Sequence, residues 1–383
     1  MGRPTRVGPC VGYIGAVTDV LRPTLFDLAL DDLPTPVGGP PYRGRQLAEW
    51  LYVHGARDLN AMSSLPRAWR AELAATHDVD PFREVRRFPS WDRSVRYLFT
   101  LRDGQRTEAV YMPYEGRKTV CVSSMVGCPA GCAFCATGAL GFGRNLSRGE
   151  IVAQLLAVAW HEGFGPREIR NVVLMGMGEA LLNYDAALGA IRTWIDPRGL
   201  DLSPRRITLS TVGLPARIRR LAAEKLPLVL AVSLHAPDEV TRRRIIPTAH
   251  AHPLDEIVAS LHDWQAQGGR RVTIEYTMLA GVNDRLEQAR ALAQLLVGLR
   301  VHVNLIPFNP WPDSGFAATA RDGLRAFEAA LTGAGVPTSI RFSRGRDTGG
   351  ACGQLALRDA GGAGDAAASG VGRRAPPSGG PLA

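Results

Sequence analysis

The chain has 383 residues, 45% of them hydrophobic, with a formal charge of +9 and a pI near 9.6. It holds no run of eighteen apolar residues and no charged-then-apolar leader, so a membrane span and a signal peptide are not expected and the chain reads as soluble and cytoplasmic. Six cysteines in so long a chain do not make a disulfide scaffold; their clustering points to metal or catalysis in a reducing compartment. The basic balance suits a polyanionic partner. All but two of the 45 basic residues are arginine, however, which a GC-rich genome's codon bias would also produce.

Residues 1–25, which include Cys10, show no clear period. Helical spacing of Leu47, Trp50, Leu51 and His54 predicts a helix stopping near Gly55, and a second is expected from Pro66 to about Ala75. Trp50 and Trp69 read as core. Residues 26–90 are therefore taken as a small helical accessory domain, in which Arg43, Arg45, Arg67 and Arg70 could touch phosphates if they share a face. Residues 91–116 read as a β-hairpin turning at Asp103-Gly104. Glu108 lies in its second strand, where a carboxylate ordinarily faces water.

From residue 117 to 359 strands and helices alternate. Strands are expected at Thr119–Met125, Asn171–Met175, Arg206–Ser210, Leu228–Ser233, Arg271–Thr277 and Val301–Ile306. Six such units imply a partial, open (β/α)6 barrel with its chemistry at the C-terminal strand ends. GMGEALLN, STVGLP, SLHAP and NLIPFNP all fall at those ends. Residues 360–383 lack aromatics and almost all large apolar residues, so they should be disordered and dispensable.

The most specific stretch is CVSSMVGCPAGCAFC, Cys121 to Cys135. Structural zinc usually takes four ligands in two close pairs, and an iron–sulfur cluster normally takes four thiolates. Cys128, Cys132 and Cys135 supply only three in C-x3-C-x2-C, which would leave one iron open. With Phe134 before the last cysteine, the motif resembles the radical S-adenosylmethionine (SAM) superfamily.

Taken with YRGRQLAEWLY, EAVYMPYEGRKTVCVSSMVGCPAGCAFCATG, GMGEALLN, STVGLP, SLHAP, IPFNP and ACGQLA, the sequence resembles the RlmN/Cfr family of radical SAM RNA methyltransferases, on its RlmN side. The resemblance implies one 4Fe-4S cluster on Cys128, Cys132 and Cys135, and two SAM molecules per turnover. It implies methylation of adenine carbon 2 in 23S rRNA and tRNA, in a cytoplasmic monomer with no membrane association, served by an electron donor such as flavodoxin. Carbon 2 lies between two ring nitrogens and has no nucleophilic lone pair, so polar methyl transfer is closed to it. Cys352 would carry the methyl group and Cys121 would release the product, leaving a Cys121–Cys352 disulfide. Glu108 would accept the ring proton. Gly178 and Glu179 would contact the SAM amine, Ser210, Ser233, Leu234 and His235 its carboxylate and ribose, and Asn309 its adenine region. Two departures stand out: Ala180 where proline is expected, and TAHAHP at Thr248–Pro253. Carbon 8 as the target, as on the Cfr side, and a non-catalytic zinc-containing RNA-binding protein are the alternatives.

Overall fold

The computed structural model describes residues 22–35, 38–312 and 314–358. Cys10 and the tail from Ala360, with the expectations attached to them, lie outside the described residues. Near the N-terminus, α1 (Pro41–Tyr52) and α2 (Arg67–Thr76) form as expected. Trp69 is buried, whereas Trp50 is half-buried, with its indole N–H donating to Ser64 Oγ at 2.7 Å. Arg70 is used structurally, donating to the Asn60 carbonyl at 2.5 Å.

The helical reading of residues 26–90 ends early. Phe82–Pro89 is a strand, β1, antiparallel to β2 (Val95–Leu101), which pairs in turn with β3 (Arg106–Tyr114). Its pattern FREVRRFP hides the strand because only its first residue and Phe88 are buried. The β2–β3 turn forms where Asp103-Gly104 predicts it, with Gly104 at φ +81°.

β4 (Arg117–Cys121) joins this antiparallel extension to a parallel sheet continuing through β7 (Ile169–Leu174), β8 (Ile207–Thr211), β9 (Val229–Ser233), β10 (Val272–Met278) and β11 (Val301–Pro307). These are the six expected parallel strands. A three-residue edge strand, β12 (Thr338–Ile340), extends the sheet to ten strands. The expected strand Thr119–Met125 is divided: β4 stops at Cys121, and Met125–Gly127 becomes β5, paired antiparallel with β6 (Phe142–Asn145). This small ribbon closes the base of the cysteine loop, whose far side carries α3 (Ala136–Leu140).

The crossovers are α4 (Arg148–Glu162), α5 (Tyr184–Ile195), α6 (Pro215–Ala223), α7 (Glu239–Ile245), α8 (Leu254–Ala266), α9 (Leu286–Leu295) and α10 (Arg321–Gly333). The first of these shows why. Ser147 and Glu150 form a reciprocal capping box at its start, and Gly163 in the left-handed region ends it. Between them, Ile151, Val152, Leu155, Leu156 and Val158 are fully buried against the sheet. The helix is also tied at two further points. Gly149 N–H donates to Asp27 Oδ1 at 2.7 Å, and a Cβ at Gly149 would lie 2.2 Å from Thr24 Oγ1, so the N-terminal segment sits directly on the helix start. Five residues on, Gln154 accepts Ser123 N–H at 2.9 Å and donates to the Ser123 carbonyl at 3.0 Å. No described helix is long and apolar enough to cross a membrane.

Candidate active site

The cysteine loop is built from close backbone approach. Gly127 has φ +69°, and a Cβ there would lie 1.9 Å from the Gly141 carbonyl oxygen, which accepts Cys128 N–H at 2.7 Å. Only glycine closes the loop at that point. On the other side Ala133 N–H donates to the Ile245 carbonyl at 2.9 Å, fastening the loop to the end of α7. The GMGEALLN segment packs behind it: Met177 N–H donates to Ser123 Oγ at 2.7 Å, and Asn183 Nδ2 donates to the Ser124 and Leu146 carbonyls. Ala180, the departure from the expected proline, is buried in the core.

Cys128, Cys132 and Cys135 share this loop. Burial is the first cause raising each thiol's pKa, to about 12 for Cys128; Cys128 and Cys132 are raised further by Cys135, and Cys135 by Cys352. Among the described residues no three His, Cys, Asp or Glu side chains converge as a single metal ion requires. Three sulfur donors without an oxygen or nitrogen partner fit an iron–sulfur cluster, which offers a separate iron to each thiolate, better than a lone zinc. His250 and His252 belong to no such group either. Instead the His252 carbonyl accepts from Arg242 at 3.1 Å, a structural use of the Thr248–Pro253 departure.

Around the loop lie the residues expected to hold SAM. Glu179 is buried, its carboxylate accepting Val212 N–H at 2.7 Å and Leu181 N–H at 3.1 Å; burial outweighs these bonds and pushes its pKa up to about 7. Gly178 has φ +106°, and a Cβ there would be 2.7 Å from Met125 Cβ. Ser210 and Ser233 stand half-buried at the ends of β8 and β9, and among the described residues neither hydroxyl has a hydrogen-bond partner. The Leu234 side chain is core, so only its backbone is available. His235 is held at φ +59° and accepts Thr277 N–H on Nδ1 at 2.9 Å, which places its proton on Nε2. Burial, and secondarily Arg242, lowers its pKa to about 3, so it is neutral at physiological pH. Phe134 packs edge-on against its ring.

The C-terminal segment crosses the mouth of the barrel and carries exposed Cys352 over buried Cys121. The two cysteines line one cavity of about 100 Å³ with Cys135, Met175 and Arg341. Burial raises Cys121 to about 12, nearby Cys352 adds to this, and Arg341 pulls the other way. Side chains from distant positions hold the segment down. Asn309 Nδ2 donates to Ser343 Oγ and to the Cys352 carbonyl, at 2.9 and 3.1 Å. Ala136 N–H bonds the Gly353 carbonyl and Thr137 Oγ1 the Leu355 carbonyl, each at 2.7 Å.

Glu108 is a correction to the outward-facing expectation. It is fully buried, ion-paired with Arg96, and accepts Leu357 N–H at 3.2 Å. Arg96 donates in addition to the carbonyls of Thr348 and Arg358, at 2.6 and 2.9 Å. Burial holds Glu108 above the usual carboxylate range against the pull of Arg96. Glu108 does not line the cavity of Cys121 and Cys352. Sequence reasoning missed Arg96, Arg341 and buried Glu275, which accepts from Asn304 at 3.0 Å. Each sits inside a strand or in a stretch with no motif; the one available signal was a charge on an otherwise apolar strand, as Arg96 is within SVRYLF.

Comparison with known proteins agrees with this architecture. The radical SAM superfamily model matches residues 122–293, and that of the ribosomal RNA large subunit methyltransferase N-terminal domain matches residues 25–79. A probable dual-specificity RNA methyltransferase RlmN from Thermus thermophilus is 59% identical over 90% of this chain and 95% of its own length. The corresponding protein of Deinococcus deserti is 59% identical over 87% of this chain and 96% of its own. A solved radical SAM methyltransferase from Sphaerobacter thermophilus superposes with a TM-score of 0.84 at 42% identity, covering 88% of this chain and all of that one. The radical SAM motif and the N-terminal domain thus occur in one chain with near full-length relatives: the chain belongs to the RlmN family of radical SAM RNA methyltransferases.

Proposed function

We propose that the protein methylates carbon 2 of a specific adenine in 23S rRNA and in tRNA, with Cys352 carrying the one-carbon unit and Cys121 releasing the product. The observation that carries this reading is the single cavity lined by Cys121, Cys352 and Cys135. Its relatives' dual-specificity name supports the choice of two RNA classes. Cys128, Cys132 and Cys135 would hold an iron–sulfur cluster, which together with SAM would supply the one-electron chemistry that carbon 2 requires.

The chain's own residues do the remainder. Cys352 is exposed, so its sulfur can meet a methyl donor and then the target base. Glu108, made more basic by burial, takes the proton lost from the ring once the segment that now occupies its Oε2 shifts. The Cys121 thiolate then attacks the Cys352 sulfur and breaks its bond to the bridging carbon, which keeps the electron pair, takes up a proton and becomes the methyl group, leaving a disulfide. Burial disfavours the Cys121 thiolate, the attacking form, while the segment is seated, and Arg341 is placed to stabilise that thiolate. A cavity of about 100 Å³ does not admit a base and SAM together, so this reading requires the segment to lift for substrate entry.

Two measurements test it. Digested RNA from cells with and without the gene should differ in 2-methyladenosine; finding 8-methyladenosine alone would place the target at carbon 8. The Cys121→Ala protein should accumulate covalently on RNA, and normal turnover by that variant would remove the resolving role.

A further inference from the structure

Trp91, at the β1–β2 turn, is 80% exposed, whereas the other six tryptophans are buried or half-buried. The turn that carries it is fixed. Ser90 N–H donates to the Ser94 carbonyl at 2.8 Å, Ser94 N–H donates to Asp92 Oδ1 at 2.9 Å, and Arg93 takes φ +67°. The same turn is fastened to the segment that carries Cys352: Gly345 N–H donates to Asp92 Oδ2 at 3.0 Å, and Asp347 accepts both Ser90 Oγ and Trp91 N–H. The indole is therefore held out into solvent by a bonded turn next to that segment. A large apolar side chain fixed in such a place points to a contact surface.

Positive charge runs from this corner to a second cavity. Arg344 donates to the Asp92 and Pro113 carbonyls, at 3.4 and 2.7 Å, and lines the cavity of Cys121 and Cys352. Its guanidinium lies 4.2 Å from the centre of the Tyr114 ring, and that of Arg117 lies 4.7 Å from it. Tyr114 lines the Cys121–Cys352 cavity as well, and is also part of a neighbouring open cavity of about 350 Å³ beside the β3–β4 turn. That second cavity presents Arg117, Lys118 and Arg170. Glu168 pairs with Lys118 at 2.8 Å and offsets one of the three charges. Arg117 and Arg170 are exposed and enter no ion pair among the described residues. Glu115, in the turn itself, does not line the cavity.

We infer that the β1–β2 and β3–β4 turns form a track for a single strand of the substrate RNA, with one base stacked on Trp91 and backbone phosphates at Arg117 and Arg170, passing the cavity where Cys352 acts. The inference rests on the RNA-methylating reading above. An acidic protein would satisfy the arginines and leave Trp91 without a role, whereas a nucleic-acid strand uses both the flat apolar face and the fixed cations. A target base drawn out of its stack leaves its neighbours unstacked, and the indole beside the cavity gives one of them a face. Trp91, Arg117 and Arg170 position the RNA and do not touch the reacting atoms.

The test uses the full chain after anaerobic reconstitution and a labelled synthetic RNA stem–loop with adenines in its loop, binding being read by fluorescence anisotropy across a salt series. Trp91→Ala should weaken binding about tenfold, while Trp91→Phe, which keeps an aromatic face, should retain most of the affinity. The Arg117→Gln/Arg170→Gln pair should flatten the slope of log affinity against log salt by about 1.4, at about 0.7 for each single-strand phosphate contact. RNA should also quench the tryptophan emission of the wild type more than that of Trp91→Phe. All three side chains are exposed, so the melting midpoints should match the wild type; where Trp91→Ala lowers its midpoint, the quenching difference with Trp91→Phe decides. Unchanged affinity in Trp91→Ala, unchanged slope in the arginine pair and equal quenching overturn the inference. Poly-glutamate bound as tightly as the RNA and sensitive to the arginine pair alone overturns it too, and assigns the surface to an acidic protein. Wild-type protein that binds no RNA would instead overturn the RNA reading beneath it.

Discussion

The cysteine loop and the Cys352 segment meet at the same cavity, yet they are held in opposite ways. The loop is closed by its own backbone: Gly127 against Gly141, the β5–β6 ribbon, and the 176–183 loop behind it. The segment has no ladder of its own and is held by Asn309, Thr137, Arg96 and Glu108, all more than forty residues away in sequence. Backbone closure gives one rigid geometry, as metal ligation requires. Side-chain docking can be released and remade without unfolding, as a carrier that must meet more than one reactant requires.

The sharpest way to break the contrast is Gly127→Ala. A Cβ at φ +69° facing a carbonyl oxygen at 1.9 Å forces the ribbon apart, so the variant should lose about 3 kcal/mol or more and fail to retain iron. Thermal denaturation and iron analysis after reconstitution measure both. Arg96→Ala acts on the other side. It strands the Glu108 carboxylate, which should cost about 3–5 kcal/mol, and the Arg96→Met/Glu108→Met pair should recover most of that while leaving the segment loose. Alkylation of Cys121, which its burial should keep slow in the wild type, should become fast in the double variant. If Cys121 stays protected there, the segment is not held by this pair.

Two smaller effects sharpen the comparison. Glu179 prefers its protonated form up to about pH 7, whereas the contact to cationic SAM proposed for it needs the carboxylate. Affinity for SAM should therefore rise with pH towards 7 and fall by up to about tenfold per unit below it, as equilibrium dialysis between pH 6 and 7.5 would show. The same shift makes the ligand-free protein less stable as pH rises from about 4.5 to about 7, and Glu179→Gln should flatten that slope by removing its contribution. Asn309→Ala removes two hydrogen bonds and should ease local opening of the segment by about 1 kcal/mol, visible as faster hydrogen exchange over residues 343–355 with an unchanged melting midpoint.

What was legible in the sequence follows the same division. The six parallel strands, the β2–β3 hairpin and the three-cysteine loop announce themselves through local period, turn chemistry and spacing. β12 was missed because three residues carry no period, and β1 because most of its side chains face water. The break after Cys121 was missed because VSSM follows directly on the strand without a turn signal; bonds of Ser123 to Gln154, Glu108 and Met177, and of Ser124 to Met177, turn it aside. Glu108, Arg96, Arg242 and Arg341 take their meaning from partners far along the chain, and no local pattern encodes a partner. Resemblance supplied an expected role for Glu108 and none for Arg96, which holds it.

One helix described above acts as a ruler. α4 receives the N-terminal segment at Gly149 and grips the backbone behind the cysteine loop at Gln154, about 8 Å further along a continuous helix. Whatever the Thr24–Thr76 region holds is presented at a fixed height above the loop, with no hinge between the two attachments. Inserting a single residue between Gly149 and Gln154 would rotate one attachment by about 100° relative to the other, so the spacing between grip and chemistry is set by five residues of one helix rather than by the size of either module.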